Sequence, residues 1–116
     1  MGDALKFMGN FASKFRAEYV VFDFTGYGES RESSVGEEVI CWDLEYVLAW
    51  VNRPLSSIIL WGFSLGTFPI VVNAAKYPVA GVVLQCPIGS LSCMFYESYE
   101  TKVRFKDDHF ANIDHI

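Results

Sequence analysis

The sequence has 116 residues, at most one small domain, and 52% of them are hydrophobic, which is enough apolar material for a core. Its formal net charge of −5 argues against a nucleic-acid partner, which requires a basic surface. Cys41, Cys86 and Cys93 form no C-x-x-C pair, and the histidines are only His109 and His115. Neither a disulfide framework nor a metal site is therefore predicted, and the cysteines are expected to be buried thiols.

The first third of the chain predicts a helix, a strand and a loop. Residues 3–15 carry apolar side chains at helical spacing, and residues 18–24 predict a strand with an apolar centre at 19–22. Residues 25–36 are rich in Gly and Ser and predict a loop. The side chain of Asp23 is expected to hold this loop by hydrogen bonds rather than to act in catalysis.

A second helix is predicted over residues 37–52. Ser34 and Glu37 have the spacing of a capping box at its start, and Pro54 ends it. The apolar positions expected to face the core are Ile40, Leu44, Val47, Leu48 and Val51.

The pentapeptide G-F-S-L-G, residues 62–66, lies between two contrasting apolar segments. Residues 57–61 predict a buried parallel strand covered on both faces. Residues 65–76 predict a helix, with apolar positions at Leu65, Phe68, Val72 and Ala75. A G-x-S-x-G pattern between a strand and a helix is typical of a nucleophile elbow.

This elbow assigns roles to its residues. Ser64 is the candidate nucleophile, expected in a strained backbone conformation at the carboxyl end of the strand. The backbone N–H of Leu65, beside the helix N-terminus, is the candidate oxyanion-hole donor. Side chains at Gly62 and Gly66 would be expected to clash with the strand and the helix. The alternative is a plain strand–turn–helix joint with an incidental serine.

The remainder of the chain completes an α/β pattern. Residues 79–84 predict another buried strand. The apolar periodicity weakens over residues 91–116, which predict a surface or cap segment. Alternating helices and strands predict parallel strands flanked by helices, within a single domain over residues 1–116.

Two other interpretations of the sequence remain open. Residues 54–75 and 77–96 carry no charge and are long enough to span a membrane, but Gly and Pro interrupt both. Residues 26–31 begin like a dinucleotide-binding loop, yet Arg31 stands where the third glycine belongs. No cofactor is therefore predicted.

Three blocks of the sequence resemble one family. They are Y-V-V-F-D-F-T-G-Y-G-E-S at 19–30, I-I-L-W-G-F-S-L-G-T-F-P at 58–69, and V-V-L-Q-C-P-I-G-S at 82–90. They are similar to the strand and glycine loop, the elbow, and the next strand of the alpha/beta hydrolase domain-containing protein 17 group of protein depalmitoylases. A weaker match is F-A-N-I at 110–113, and Phe63 stands where this group usually has Gln.

This resemblance implies a serine hydrolase of esters or thioesters, most notably of palmitoyl groups on cysteine. It implies acylated proteins or small esters and thioesters as substrates, and a cytoplasmic enzyme working at the cytosolic face of membranes. No cofactor or metal is implied.

The resemblance covers only part of the family's domain. By comparison with the family, the oxyanion loop and a central strand would precede Met1, and the catalytic acid and histidine would follow Ile116. The fold class is thus expected to be a partial α/β-hydrolase fold, with strand edges that pair directly, recruit another chain or stay exposed. The alternative function is a catalytically incomplete or non-catalytic interaction piece.

An internal catalytic triad is a further alternative. Asp107 or Asp108 followed by His115 satisfies the acid-then-histidine order of this fold, and His109 is also close in sequence. We favour the simpler interpretation that these residues belong to a charged surface segment.

Overall fold

The computed structural model describes residues 8–9, 11, 14–30, 35–95, 108–112 and 115. The chain divides into two compact units, residues 1–35 and 36–116. The sheet and the helices that pack on it lie in the second unit.

The sequence predicts a helix and a strand within the first unit. Most of the predicted helix over 3–15 lies outside the described residues, although Met8, Gly9 and Phe11 are helical. The predicted strand over 18–24 is wrong, because these residues belong to no ladder of the two-stranded sheet. Apolar and β-branched side chains favour extended backbone, but a strand also needs a neighbour for its N–H and C=O groups. None of the described residues supplies that ladder.

The glycine loop of the first unit is built around Asp23. The Asp23 carboxylate accepts a long hydrogen bond of 3.4 Å from the Glu29 N–H. The backbone carbonyl of Asp23 accepts from the Ser30 hydroxyl at 2.9 Å. Gly26 and Gly28 have φ of 84° and 54°, which side-chain-bearing residues rarely adopt. A Cβ on Gly28 would lie 2.0 Å from Asp23 Oδ2. The predicted role of Asp23 in holding the loop is confirmed.

Helix α1 spans Glu37–Val51, one residue shorter than predicted. Its N-cap is Gly36, which makes no side-chain capping bond, and Ser34 lies outside the described residues. Asn52 ends the helix in the left-handed region at φ 49°, two residues before Pro54. The buried residues of the helix are Ile40, Cys41, Leu44 and Leu48, whereas Val47 and Val51 are only half-buried.

Two parallel strands form the sheet. Strand β1 spans Ile59–Phe63 and strand β2 spans Gly81–Gln85, with Ile59 opposite Gly81 and Phe63 opposite Gln85. Both start two residues later than predicted. Before β1, the 3-10 turn Leu55–Ser57 includes Ser57, the first residue of the predicted strand, and the Ile58 N–H bonds to the Leu55 carbonyl.

Helix α2 spans Thr67–Lys76 and connects the two parallel strands. It packs against α1 on one side and against both strands on the other. Seven consecutive residues, Thr67 to Asn73, are therefore buried rather than a single stripe, whereas Ala75, an apolar position of the predicted helix, is exposed. A short helix α3, Leu91–Phe95, follows the turn after β2.

The two faces of β1 differ in burial. Leu60 and Gly62 are buried on the face that meets α2. Ile59 and Phe63, on the opposite face, are 64% and 61% exposed. The prediction that this strand is covered on both faces is therefore wrong, because α2 is the described helix that packs closely on the strands and it lies on the face of Gly62.

The uncharged stretches at 54–75 and 77–96 do not form membrane helices in their described parts. They fold as the short strands, turns and helices given above. No helix within the described ranges combines the length and the apolar character needed to cross a bilayer.

Candidate active site

Ser64 occupies the sharp turn between β1 and α2. It opens a 3-10 turn, Ser64–Gly66, that leads directly into the helix. Its φ is 51°, in the left-handed region that non-glycine residues enter at a cost of about 1–2 kcal/mol. The strained conformation predicted for this serine is confirmed, and its side chain is half-buried rather than enclosed.

The two glycines of the pentapeptide differ in the space that would surround a Cβ. A Cβ on Gly62 would lie 2.4 Å from the Gly66 carbonyl oxygen and 2.8 Å from Ile70 Cδ1, so the predicted clash there is confirmed. The predicted clash at Gly66 is wrong, since no described atom lies within 4 Å of a Cβ at that position. The close contact is made by the backbone of Gly66, and its own Cβ direction is open.

The N–H of Leu65 lies at the start of the helical segment. The first N–H groups of a helix have no earlier helical carbonyl to bond, and they lie at the positive end of the helix dipole. Leu65 is the second residue of the 3-10 turn, directly after Ser64. Its position is suited to the predicted oxyanion donor, a role that stays a prediction.

Two buried polar side chains, Thr67 and Asn112, form hydrogen bonds that support this turn. The Thr67 hydroxyl donates to the Ser64 carbonyl at 2.6 Å. The Asn112 side-chain amide donates to Thr67 Oγ1 at 2.9 Å and to the Ile88 carbonyl at 2.7 Å. Sequence reasoning missed Thr67 and Asn112. The three-residue spacing from Ser64 to Thr67, typical of a hydroxyl bonding a preceding carbonyl, was the available signal for Thr67.

Asp108 is bonded to serines at the start of α3 rather than to a histidine side chain. Its carboxylate accepts from the Ser92 N–H at 3.1 Å. Burial raises the pKa of this carboxyl, but hydrogen bonds from Ser90 and Ser92 outweigh that effect and leave the pKa below its ordinary value. A carboxylate held in this way is stabilised in its charged form.

Neither histidine side chain is hydrogen-bonded to Ser64 in the part of the chain that the structure describes. His109 Nδ1 lies 3.1 Å from a carboxylate oxygen of Glu37, and the His115 ring meets the edge of Phe68 at 6.0 Å between centroids. Asp107 lies outside the described residues. Among the described residues, no hydrogen bond reaches the Ser64 hydroxyl. Within the described ranges, the structure thus does not assemble an internal triad from Asp108 with either His115 or His109.

Glu37 has a function that the sequence did not reveal. Besides its contact with His109, its carboxylate accepts from the Phe110 N–H. The residue expected in a capping box therefore ties residues 109–110 to the start of α1.

The three cysteines differ in environment. Cys41 is 5% exposed on α1, and burial raises its pKa to about 11. Cys86 is exposed and Cys93 is partly exposed, so the prediction of buried thiols holds for Cys41 alone. Among the described residues, no three His, Cys, Asp or Glu side chains lie close enough to bind a metal together.

Comparison with known proteins decides the family. The family model described as alpha/beta hydrolase fold matches residues 3–114, nearly the whole chain. The chain belongs to the alpha/beta hydrolase fold family. The G-x-S-x-G turn, the parallel strands and the connecting helix of this α/β-hydrolase chain occur in the expected order.

Curated relatives point to one group within this family. Human alpha/beta hydrolase domain-containing protein 17B is 31% identical over 123 residues, covering 100% of this chain and 41% of that protein. Its Xenopus laevis counterpart is 30% identical with the same coverage. Protein 17C of Mus musculus is 28% identical over 122 residues, covering 100% of this chain and 37% of the relative. No solved structure matches the chain.

The α/β-hydrolase chain is thus similar to the domain-containing protein 17 group along its entire length. It spans about two fifths of the length of these relatives.

Proposed function

We propose that this chain carries the nucleophile elbow of a serine hydrolase, with Ser64 as the nucleophile. The observation that carries the proposal is the left-handed backbone of Ser64, φ 51°, at a strand-to-helix turn. A serine there projects away from both elements, and its hydroxyl forms no hydrogen bond with the other described residues. The turn is thus built to present an oxygen to a substrate.

The proposed reaction is acyl transfer to Ser64. The Ser64 oxygen attacks the acyl carbonyl, and the Leu65 N–H donates to the oxyanion of the tetrahedral intermediate. Collapse breaks the bond to the leaving alcohol or thiol, which takes a proton, and water then releases the acid from the acyl-serine. A general base must take the serine proton.

The substrate class we propose is an ester or thioester, with the S-acyl cysteine of a palmitoylated protein as the preferred case. The similarity to the domain-containing protein 17 group supports this choice. A palmitoylated protein is membrane-bound, so the proposed place of action is the cytosolic face of a membrane.

A second proposal is that the chain alone does not complete a catalytic cycle. Asp108 and His109 bond to Ser92 and Glu37 rather than to Ser64. A serine without an oriented base keeps a weakly nucleophilic hydroxyl, and loss of triad members lowers the rate by about 10⁴–10⁶. In this case the chain would serve as an interaction piece.

A fluorophosphonate probe separates the two proposals. The purified chain is treated with the probe, and the labelled residue is identified by mass spectrometry. Labelling at Ser64 that disappears in Ser64→Ala supports an activated serine. Ser57→Ala is a matched control, because Ser57 is exposed and its hydroxyl donates to the Pro54 carbonyl in the turn before β1.

Turnover of a thioester substrate completes the test. Hydrolysis of palmitoyl-thioester that depends on Ser64 supports the enzyme. A folded chain that neither labels nor hydrolyses contradicts activity of this chain and favours the interaction piece. Turnover lost in His109→Ala or His115→Ala would contradict the second proposal.

A further inference from the structure

A continuous line of buried hydrogen bonds joins Asn112 to the elbow backbone. Asn112 Nδ2 lies 2.9 Å from Thr67 Oγ1, which lies 2.6 Å from the Ser64 carbonyl oxygen. Thr67 is 0% exposed and Asn112 1% exposed, so water does not compete for these bonds.

The direction of each bond follows from chemistry. A carbonyl oxygen can only accept, so the Thr67 hydroxyl must donate its single proton to Ser64. Its oxygen then accepts, which requires the NH₂ side of the Asn112 amide to face it. The second N–H of the same amide bonds to the Ile88 carbonyl at 2.7 Å. The amide is therefore locked in one orientation between the elbow and the turn after β2.

The bonded carbonyl belongs to the same peptide unit as the candidate oxyanion donor. The C=O of Ser64 and the N–H of Leu65 share one rigid plane and point in opposite directions in a trans peptide. Fixing the carbonyl from the protein interior thereby aims the Leu65 N–H outward. Ser64 itself is at φ 51°, where an unsupported residue would relax toward negative φ.

We propose that Asn112, acting through Thr67, is a positioning residue that aims the Leu65 N–H and holds Ser64 in its left-handed conformation. This inference rests on the proposed role of Ser64 as a nucleophile. Residues 108–110 are held by contacts with Ser92 and Glu37, which bring Asn112 to the elbow from a distant part of the chain. In this role Asn112 controls the geometry of the oxyanion site.

Asn73 provides a matched control within the same unit. It is 0% exposed, and its amide also donates two bonds, to the Pro69 carbonyl at 2.8 Å and the Cys41 carbonyl at 3.2 Å. The side-chain oxygens of Asn73 and Asn112 are both buried, with no hydrogen-bond partner among the described residues. Removing either amide should destabilise the fold similarly, but Asn73 bonds to no residue of the elbow turn.

The test compares Thr67→Val, Thr67→Ser, Asn112→Ala and Asn73→Ala in the full chain. The first readout is the ¹H–¹⁵N resonance and exchange rate of the Leu65 amide, which report on its direction and protection. The second is the rate of fluorophosphonate labelling at Ser64. Thr67→Val and Asn112→Ala should move the Leu65 resonance and slow labelling by about tenfold to a hundredfold.

Thr67→Ser retains the hydroxyl and should restore both readouts, whereas Asn73→Ala should lower the unfolding midpoint and leave Leu65 unchanged. Equal responses of Leu65 to Asn73→Ala and Asn112→Ala, or none to Thr67→Val, would overturn the positioning role. If Asn112→Ala fails to fold, the comparison of Thr67→Val with Thr67→Ser still tests the positioning role. A wild-type chain that never labels would refute the nucleophile proposal, while the Leu65 resonance still decides whether Asn112 aims this amide.

Discussion

The glycine loop and the elbow both adopt left-handed backbone, and they do so by different means. In the glycine loop, Gly26 and Gly28 occupy the positive-φ positions, and Asp23 bonds a nearby N–H from within the same short segment. In the elbow, a serine occupies the positive-φ position, and its carbonyl accepts from the Thr67 hydroxyl. That hydroxyl in turn accepts from Asn112, which is 48 positions further along the chain from Ser64.

The difference shows where each turn obtains its stability. Glycine adopts positive φ without steric cost, so the loop is specified by local sequence. Serine pays a steric penalty there, so the elbow needs tertiary contacts that outweigh it. Strain of this kind is typical of functional sites, in keeping with the proposed role of Ser64.

The largest effect should come from filling the close approach inside the elbow. Gly62→Ala places a Cβ against the Gly66 backbone, which cannot move without shifting the helix. We expect a loss of about 1–3 kcal/mol in the free energy of unfolding, measured by urea denaturation. Gly66→Ala is the control and should change stability by less than about 0.5 kcal/mol. Equal losses for the two variants would contradict this account of the turn.

The glycine loop should respond next. Gly28→Ala forces alanine to φ 54° and brings its Cβ against Asp23 Oδ2. We expect a loss of about 1–2 kcal/mol from backbone strain, with the carboxylate able to rotate away. Limited proteolysis of the loop and urea denaturation measure the effect. Adding Asp23→Ala removes the clash but not the strain, so a full recovery in the double variant would show that strain is unimportant.

Placing glycine in the elbow should make it resemble the loop. Ser64→Gly removes the left-handed penalty, and we expect a gain in stability of about 1 kcal/mol. Ser64→Ala keeps the Cβ and should show no such gain, while both variants lose any labelling by the fluorophosphonate probe. Thermal unfolding of the three proteins separates the two effects. A destabilised Ser64→Gly would mean that the hydroxyl itself supports the turn.

The smallest effect concerns the stability of the folded protein at acidic pH. The pKa of Asp108 is lowered from its ordinary value of 3.8, so its carboxylate favours the folded state at higher pH. This contribution is present above pH 3.8 and is lost as the pH falls through the lowered pKa of the folded protein. The stability difference between the wild type and Asp108→Asn should therefore shrink on acidification. A difference that stays constant down to low pH would exclude the charge of Asp108 as its source.

Sequence patterns predicted much of the second unit. The apolar periodicity gave helix α1 to within one residue, and the G-x-S-x-G pattern marked the strained turn at Ser64. The predicted strand positions were less accurate, since each observed strand begins two residues after the predicted start. The reason is that hydrophobicity reports burial, whereas the ends of a strand depend on its ladder partner.

The sequence by itself determined the family, the order of the elements in the second unit, and the serine at the turn, because these depend on spacing along the chain. Tertiary structure alone decided that residues 18–24 have no ladder partner among the described residues, and that one face of β1 stays exposed there. It also decided that Asn112 reaches Thr67 and that Glu37 reaches residues 109–110. Such contacts join distant positions through polar side chains that follow no periodic pattern, so no local signal announces them.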